Sequence, residues 1–352
     1  MQTVACISLQ EGMILGTDVL SHRGDVIAKK GDEVNLKLIS KFKRYNVMVV
    51  DVLDAMDLAN TYFERVQVSP GFKKFMNSYQ EAYAAYKETI MNLITKHYTI
   101  NFPALLSLYD SVRKTIRTDE DLIDYMYNQM VAEDEITHAH CFKSALLAGT
   151  FADWCQFTNA EKLILIQAAF VYDIGKLLLP NELLWKTGIY TPEEKLEIQR
   201  HTTLGYDMLM QSAAPYDVCM AVLSHHERVD GSGYPNHLKR EDISKYAKIL
   251  AIIDTYEALS AARTYRSAKL PLEIISTLQE DGMVKYDIGY LLPIMQHLSN
   301  MLVGRKVLLS NGKEMIIRYI NNNNLSKPIL EDNEHHLFDL SRMTDTKIVT
   351  ML

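Results

Sequence analysis

The stretch Ser224–Leu238, "SHHERVDGSGYPNHL", decides how this chain is read. Two adjacent histidines and a glutamate run from the apolar pattern "VCMAVL" into a turn cluster of aspartate, glycines, tyrosine and proline. Neutral imidazole is the commonest metal-binding side chain, so the stretch is either a helix ending at the surface with a few polar residues or one edge of a metal site. Gly231 and Gly233 supply backbone angles that other residues avoid, shaping the turn that presents Tyr234. Glu227 and Arg228 read as supporting residues.

Working outward, six of the eleven histidines fall between positions 138 and 237. His140, His201, His225 and His226 each have apolar helical neighbours, in "HCFKSALLA", "IQRHTTLGYDML" and "AVLSHH". One histidine in such a setting is ordinarily a satisfied core residue. Four of them, joined by Asp173 in "YDIGK" and Asp254 in "AIIDTYEAL", are different. Both aspartates sit inside apolar helical runs, where an unpaired carboxylate is costly. A cation satisfies imidazoles and carboxylates together, and this donor set suits iron, manganese, zinc or nickel.

Around this region the pattern changes in both directions. Residues 1–55 read as a small β-rich domain, with "MILGTDVL", "DVIAKK" and "VMVVDV" strand-like between "HRGD" and "KKGD" turns. Within it "NLKLISKFKRYN" predicts a short helix with Leu36, Leu38, Ile39 and Phe42 on one side. Residues 56–130 are a helical connecting region broken at "SPG" and "NFP". There Tyr79, Tyr83 and Tyr86 share one helix face, which fits a packing seam or a dimer surface. Residues 131–300 form an all-helical domain whose last predicted helix is "PLEIISTLQED", and Thr191 before "PEE" predicts an N-cap. Residues 301–352 return to alternation around an "SNG" turn, a small β-rich C-terminal unit. The fold class is therefore mainly α, flanked by two small β-rich units.

Composition excludes several classes. A formal charge of −7 over 352 residues lacks the basic excess of a nucleic-acid-binding surface. No apolar run reaches the roughly 18 residues of a membrane span, and the N-terminus has no secretory pattern. The four cysteines lie far apart without CxxC spacing, so a reducing cytoplasm is the expected compartment.

The order His140, "YDIGK", His201, "HHERVDGSGYP" and "IIDTYEALSAARTYRSA" resembles the HD-GYP family over residues 131–290. These are helical, metal-dependent phosphodiesterases of bacteria that open and hydrolyse cyclic-di-GMP to linear pGpG, GMP or both. The resemblance implies two divalent metal ions, iron or manganese favoured. His140, Asp173 and Asp254 would hold one; Asp173 as a bridge, His201, His225 and His226 would hold the other. It gives Asp173 and Lys176 catalytic roles, with Lys176 acting on the phosphate oxygens or the leaving group. Tyr234 would contact the nucleotide, and Arg263 and Arg266 would grip its phosphates, the family's "RPYR" being "RTYR" here.

Two departures stand out. Where the family has "HDxGK", Tyr172 replaces the defining histidine. A phenol, with a pKa of about 10, must lose its proton to bind a metal well. Tyr172 is thus a ligand suited to ferric iron, or a neighbour that leaves the first site weak. Four residues before His140 stands Ile136, where relatives with a third metal carry glutamate. Three functions follow from these residues: a hydrolase, a cyclic-di-GMP sensor that does not cleave, and a scaffold for signalling partners such as diguanylate cyclase domains.

Overall fold

Short alternating runs and tight turns make the first residues sheet-forming, and the computed structural model shows how they pair. It describes residues 1–96, 99–129, 136–184, 186, 188–261, 269–343 and 345–352. The contacts group these into two units, residues 1–70 with 352, and residues 71–351. In the first, β1 (Gln2–Ala5), β2 (Ile14–Leu15), β3 (Val19–Leu20), β4 (Val26–Ala28), α1 (Leu36–Arg44) and β5 (Val49–Leu53) follow in order. Strand β5 lies between β1 and β2, antiparallel to both, and β3 pairs with β4 as a hairpin. Leu15, Val34, Phe42, Val50 and Val52 form the core, with Leu38 and Ile39 packed against it. Leu36 departs from the expected face: it lies in the first helical turn and is 65% exposed. Two short helices, α2 (Ala55–Leu58) and α3 (Tyr62–Val68), close the unit behind the caps Asp54 and Thr61.

The second unit begins with α4 (Pro70–Lys96), α5 (Phe102–Arg113) and α6 (Asp119–Asn128). On α4 the buried positions are Phe72, Phe75, Tyr79, Ala82, Tyr86, Ile90 and Leu93, a seam at three- and four-residue spacing. Tyr79 meets Phe142 edge to face, Tyr86 packs tilted against it, and Tyr86 donates a 2.7 Å hydrogen bond to the Phe170 carbonyl. The tyrosine face is a packing seam inside this unit.

Its centre is α7 (Ile136–Trp154), buried nearly all round, as a helix apolar on every face must be. It packs on α8 (Asn159–Val171), with α9 (Asn181–Leu184), α10 (Pro192–Gln199), α11 (His201–Gln211), α12 (Tyr216–Ser224) and α13 (Lys245–Ser260) following. Thr191 caps α10, with Pro192 at its first position. Helix α14 runs past the expected "PLEIISTLQED" to span Pro271–Lys285, and α15 (Ile288–Asn300) was not expected. Pro293 inside α15 reads as a helix breaker, yet the apolar face of Leu291, Ile294, Met295 and Leu298 is buried and holds the helix.

The chain ends in an antiparallel sheet of order β10-β6-β7-β8-β9, comprising β6 (Lys306–Leu309), β7 (Glu314–Tyr319), β8 (Ile329–Glu331), β9 (Leu337–Asp339) and β10 (Ile348–Met351). Arg305 ties its entry to α6 through two 3.0 Å bonds to Asp124.

Candidate metal centre

The centre is built where helices end. The apolar run holding Asp173 was expected to be one helix; instead α8 stops at Val171, and a tight 3-10 turn, Ile174–Leu178, follows. Asp173 sits at the break with φ −104° and ψ 3°, which turns its carboxylate off the helix axis. Gly175 makes this possible: a Cβ there would collide with the His201 carbonyl and approach the Gly205 nitrogen at 2.7 Å. The turn therefore rests backbone to backbone on α11. The run "PEEKLEIQRHTTLGYDMLMQS" is likewise two helices, broken at Arg200, so His201 opens α11. His225 and His226 lie just past α12 rather than within it, His225 as its C-cap.

These breaks bring the expected residues together as two groups sharing one carboxylate. Asp173, His201, His225 and His226 offer ligand atoms within 4.8 Å of one another, and so do His140, Asp173 and Asp254. His201 Nδ1 lies 2.6 Å from the Ile198 carbonyl, and His225 Nδ1 2.7 Å from the Val222 carbonyl. A carbonyl only accepts, so each Nδ1 carries the hydrogen and each ring turns its Nε2 inward. Those two Nε2 atoms stand 3.3 Å apart. Asp173 Oδ1 is 3.3 Å from the first and 3.6 Å from the second, and has no hydrogen-bond partner although buried. Two ring nitrogens and a carboxylate oxygen thus converge, a donor set that a cation satisfies together, so the residues present fit a bound metal.

The second group is held differently. His140 Nε2 is 2.9 Å from Asp254 Oδ1 and 3.7 Å from Asp173 Oδ2, while its Nδ1 is hydrogen-bonded to the Glu257 carboxylate. Burial opposes protonation of His140, but Glu257 and Asp254 together raise its pKa to about 10. His201 goes the other way: burial outweighs Asp173 and lowers it to about 4. His226 is also pushed down, by burial and then by His225. Burial disfavours ionised Asp173, yet Lys176 and the surrounding histidines hold it well below the usual carboxylate range. Lys176 Nζ sits 2.5 Å from Asp173 Oδ2 and stays protonated, burial being outweighed by Asp173 and Asp254.

Tyr172 is fully buried, with its hydroxyl 3.0 Å from Ser144 Oγ. Burial, and then Asp254 and Asp173, push its pKa well above the ordinary phenol value. It is a neutral phenol turned to a serine.

The "GYP" stretch forms a lip beside this cluster. Tyr234 stacks on His226 with ring centroids 4.7 Å apart, and the peptide before Pro235 is cis. Buried Glu227 shapes the lip by accepting from Asn236 N at 2.7 Å and Leu238 N at 3.0 Å. Gly233 is required because a Cβ would meet the Glu227 and Arg228 backbone at 2.5 Å. Arg263 and Arg266 lie outside the described residues. Glu257, Lys143 and Ser144, all buried, were not singled out from the sequence. Glu257 and Lys143 lie three residues after Asp254 and His140, on the same helix faces, which is the signal that could have found them.

Residues 118–289 match the HD domain family. A cyclic di-GMP phosphodiesterase of Thermotoga maritima is 38% identical over 142 residues, covering 40% of this chain and 38% of that protein. A 3′3′-cGAMP-specific phosphodiesterase of Vibrio cholerae is 35% identical over 156 residues, covering 44% of this chain and 36% of that protein. The chain thus spans less than half the length of these relatives. The same fold occurs in an HDG"Y"P protein from Bdellovibrio bacteriovorus, with a TM-score of 0.52 at 14% identity, covering 86% of this chain and 99% of that one. Among the described residues no helix is long and apolar enough to cross a membrane.

Proposed function

We propose, for a chain whose residues 118–289 match the HD domain family, that it is a metal-dependent phosphodiesterase opening cyclic-di-GMP to linear pGpG, GMP or both. The observation that carries this is Asp173, a buried carboxylate common to two cation-ready groups, with one oxygen lacking a hydrogen-bond donor. His140, Asp173 and Asp254 would hold one divalent cation; Asp173, His201, His225 and His226 the other. Iron and manganese suit these donors. When bound, such cations supply Lewis acidity at a phosphodiester oxygen and lower the pKa of water.

The chain's own groups do the rest. Lys176 keeps its proton on Nζ beside Asp173, where it stabilises phosphate charge and can protonate the leaving 3′-oxygen. Tyr234, whose phenol is kept neutral chiefly by burial, offers the nucleotide a ring face and a hydroxyl. Arg263 and Arg266, assigned on resemblance, suit bidentate phosphate contacts. Tyr172 stays outside the donor set, its hydroxyl committed to Ser144. The six other ligands suffice for both groups, so the loss of the family's histidine does not remove the reaction.

The Vibrio cholerae relative supports a second substrate, 3′3′-cGAMP, which has the same pair of 3′–5′ phosphodiesters and one different base. The test is chromatography of each nucleotide after incubation with anaerobically prepared protein supplied with iron or manganese. Linear product absent with Asp173→Ala is the expected result, and the faster of the two nucleotides names the substrate. Intact nucleotides from a metal-loaded sample would reject the hydrolase and leave a binding protein.

A further inference from the structure

Lys143 and Glu257 are buried charges that the reaction outlined above does not use. They are 1% and 3% exposed. Lys143 follows His140 by three residues on α7, and Glu257 follows Asp254 by three on α13, so each pair shares a helix face. The two helices pack together, and the four groups meet. His140 Nδ1 bonds Glu257 Oε2, and Lys143 Nζ stands 3.4 Å from Glu257 Oε1. Lys143 Nζ also lies 3.4 Å from the Gln129 carbonyl. A buried ion pair is weak evidence for stability, because desolvation offsets the attraction. What this pair does provide is orientation. Glu257 accepts the Nδ1 hydrogen of His140, which leaves Nε2, facing Asp254 and Asp173, as the nitrogen that would give up its proton to meet a cation.

We propose that Glu257, itself held by Lys143, is a positioning residue that fixes the His140 ring and sets the cation affinity of the His140/Asp254 half of the centre. A carboxylate accepting from a ligating imidazole makes the imidazole a stronger donor. That matters most in the half where Tyr172 stands in place of a histidine. The inference rests on the metal-dependent reading given above.

The test is calorimetric titration of the metal-stripped full chain with manganese, without nucleotide. The wild type is expected to show two classes of site. Glu257→Gln, nearly isosteric, should weaken one class by about 10- to 100-fold and leave the other class and the melting temperature in place. His225→Ala should weaken the opposite class. Lys143→Arg, which keeps the charge beside Glu257, should retain the affinity that Lys143→Met loses. Should the Gln variant fail to fold, Glu257→Asp, which keeps the charge but withdraws the carboxylate by one methylene, carries the same class-selective expectation. Unchanged binding in a folded Glu257 variant overturns the proposal. So does a loss of both classes together with a lowered melting temperature, the mark of a merely structural role. A wild type that takes up no manganese would instead reject the metal-dependent reading itself, so the two failures are distinct.

Discussion

The two halves of the centre are anchored by different means. His201 and His225 each give their Nδ1 hydrogen to a main-chain carbonyl three residues back, at Ile198 and Val222. His140 gives its own to a carboxylate 117 residues away, on another helix. The first anchoring is local and neutral, and no side-chain substitution removes its acceptors. The second is long-range and charged, and it depends on Glu257 remaining ionised and in place. The halves therefore differ in robustness, although both end on Asp173.

The largest effect tests that shared point. Asp173→Asn keeps the shape of the side chain but removes the charge on which both groups converge. We expect neither class of manganese site and no nucleotide turnover above background, measured on one sample by calorimetry and chromatography. Retention of either class would show that the halves do not depend on a common carboxylate.

A smaller effect should separate the halves by packing. In Gly175→Ala the new methyl meets the backbone of His201 and Gly205, which cannot turn aside as a side chain can. Overpacking of this kind costs about 1–3 kcal/mol, a fall of several degrees in melting temperature for a unit this size. The strain falls on the turn against α11, so His201 should suffer before His140. A loss confined to the His140 class would contradict the local anchoring described here.

The lip offers an intermediate case. Glu227→Gln keeps an acceptor for one of the two amides, at Asn236 and Leu238, and presents a donor to the other. Losing a charge-assisted bond costs about 1.5–3 kcal/mol. Because it loosens the segment carrying Tyr234 and not the ligand atoms, KM for the nucleotide should rise while manganese affinity holds. A fall in metal affinity with unchanged KM would mean that Glu227 supports the histidines instead.

What could be read from the sequence follows the same division between local and distant. The histidines, the two aspartates and the "GYP" turn were legible because each carries a chemistry its apolar neighbours cannot explain. So was the cap at Thr191, a short-range pattern. The helix ends at Val171 and Arg200 were not, because apolar periodicity continues across them. At Asp173 the break depends on Gly175 meeting the backbone near His201, a contact between segments some 25 residues apart in sequence that no local window contains. Helix α15 was missed for the opposite reason, a proline that tertiary burial overrides. Glu257 and Lys143 were not singled out, and only the packing of α7 on α13 shows them facing each other.

Tyr172 gives the smallest expected effect and the most discriminating one. Its ring lies 5.4 Å from that of His140 and 5.0 Å from that of His225, between the two halves. Position alone would make it a ligand; its hydroxyl, bonded to Ser144 and kept protonated, argues for a spacer. Tyr172→Phe removes only that oxygen. If the ring is a spacer, the variant loses one buried hydrogen bond, about 1 kcal/mol, and both manganese classes and turnover stay within a few-fold of wild type. If the oxygen is a ligand, the His140 class weakens sharply and turnover falls with it. Tyr172→His then asks the complementary question, since an imidazole between the halves can donate a nitrogen where the phenol cannot. A tighter His140 class in that variant would show that the charged anchoring through Glu257 compensates for a missing donor.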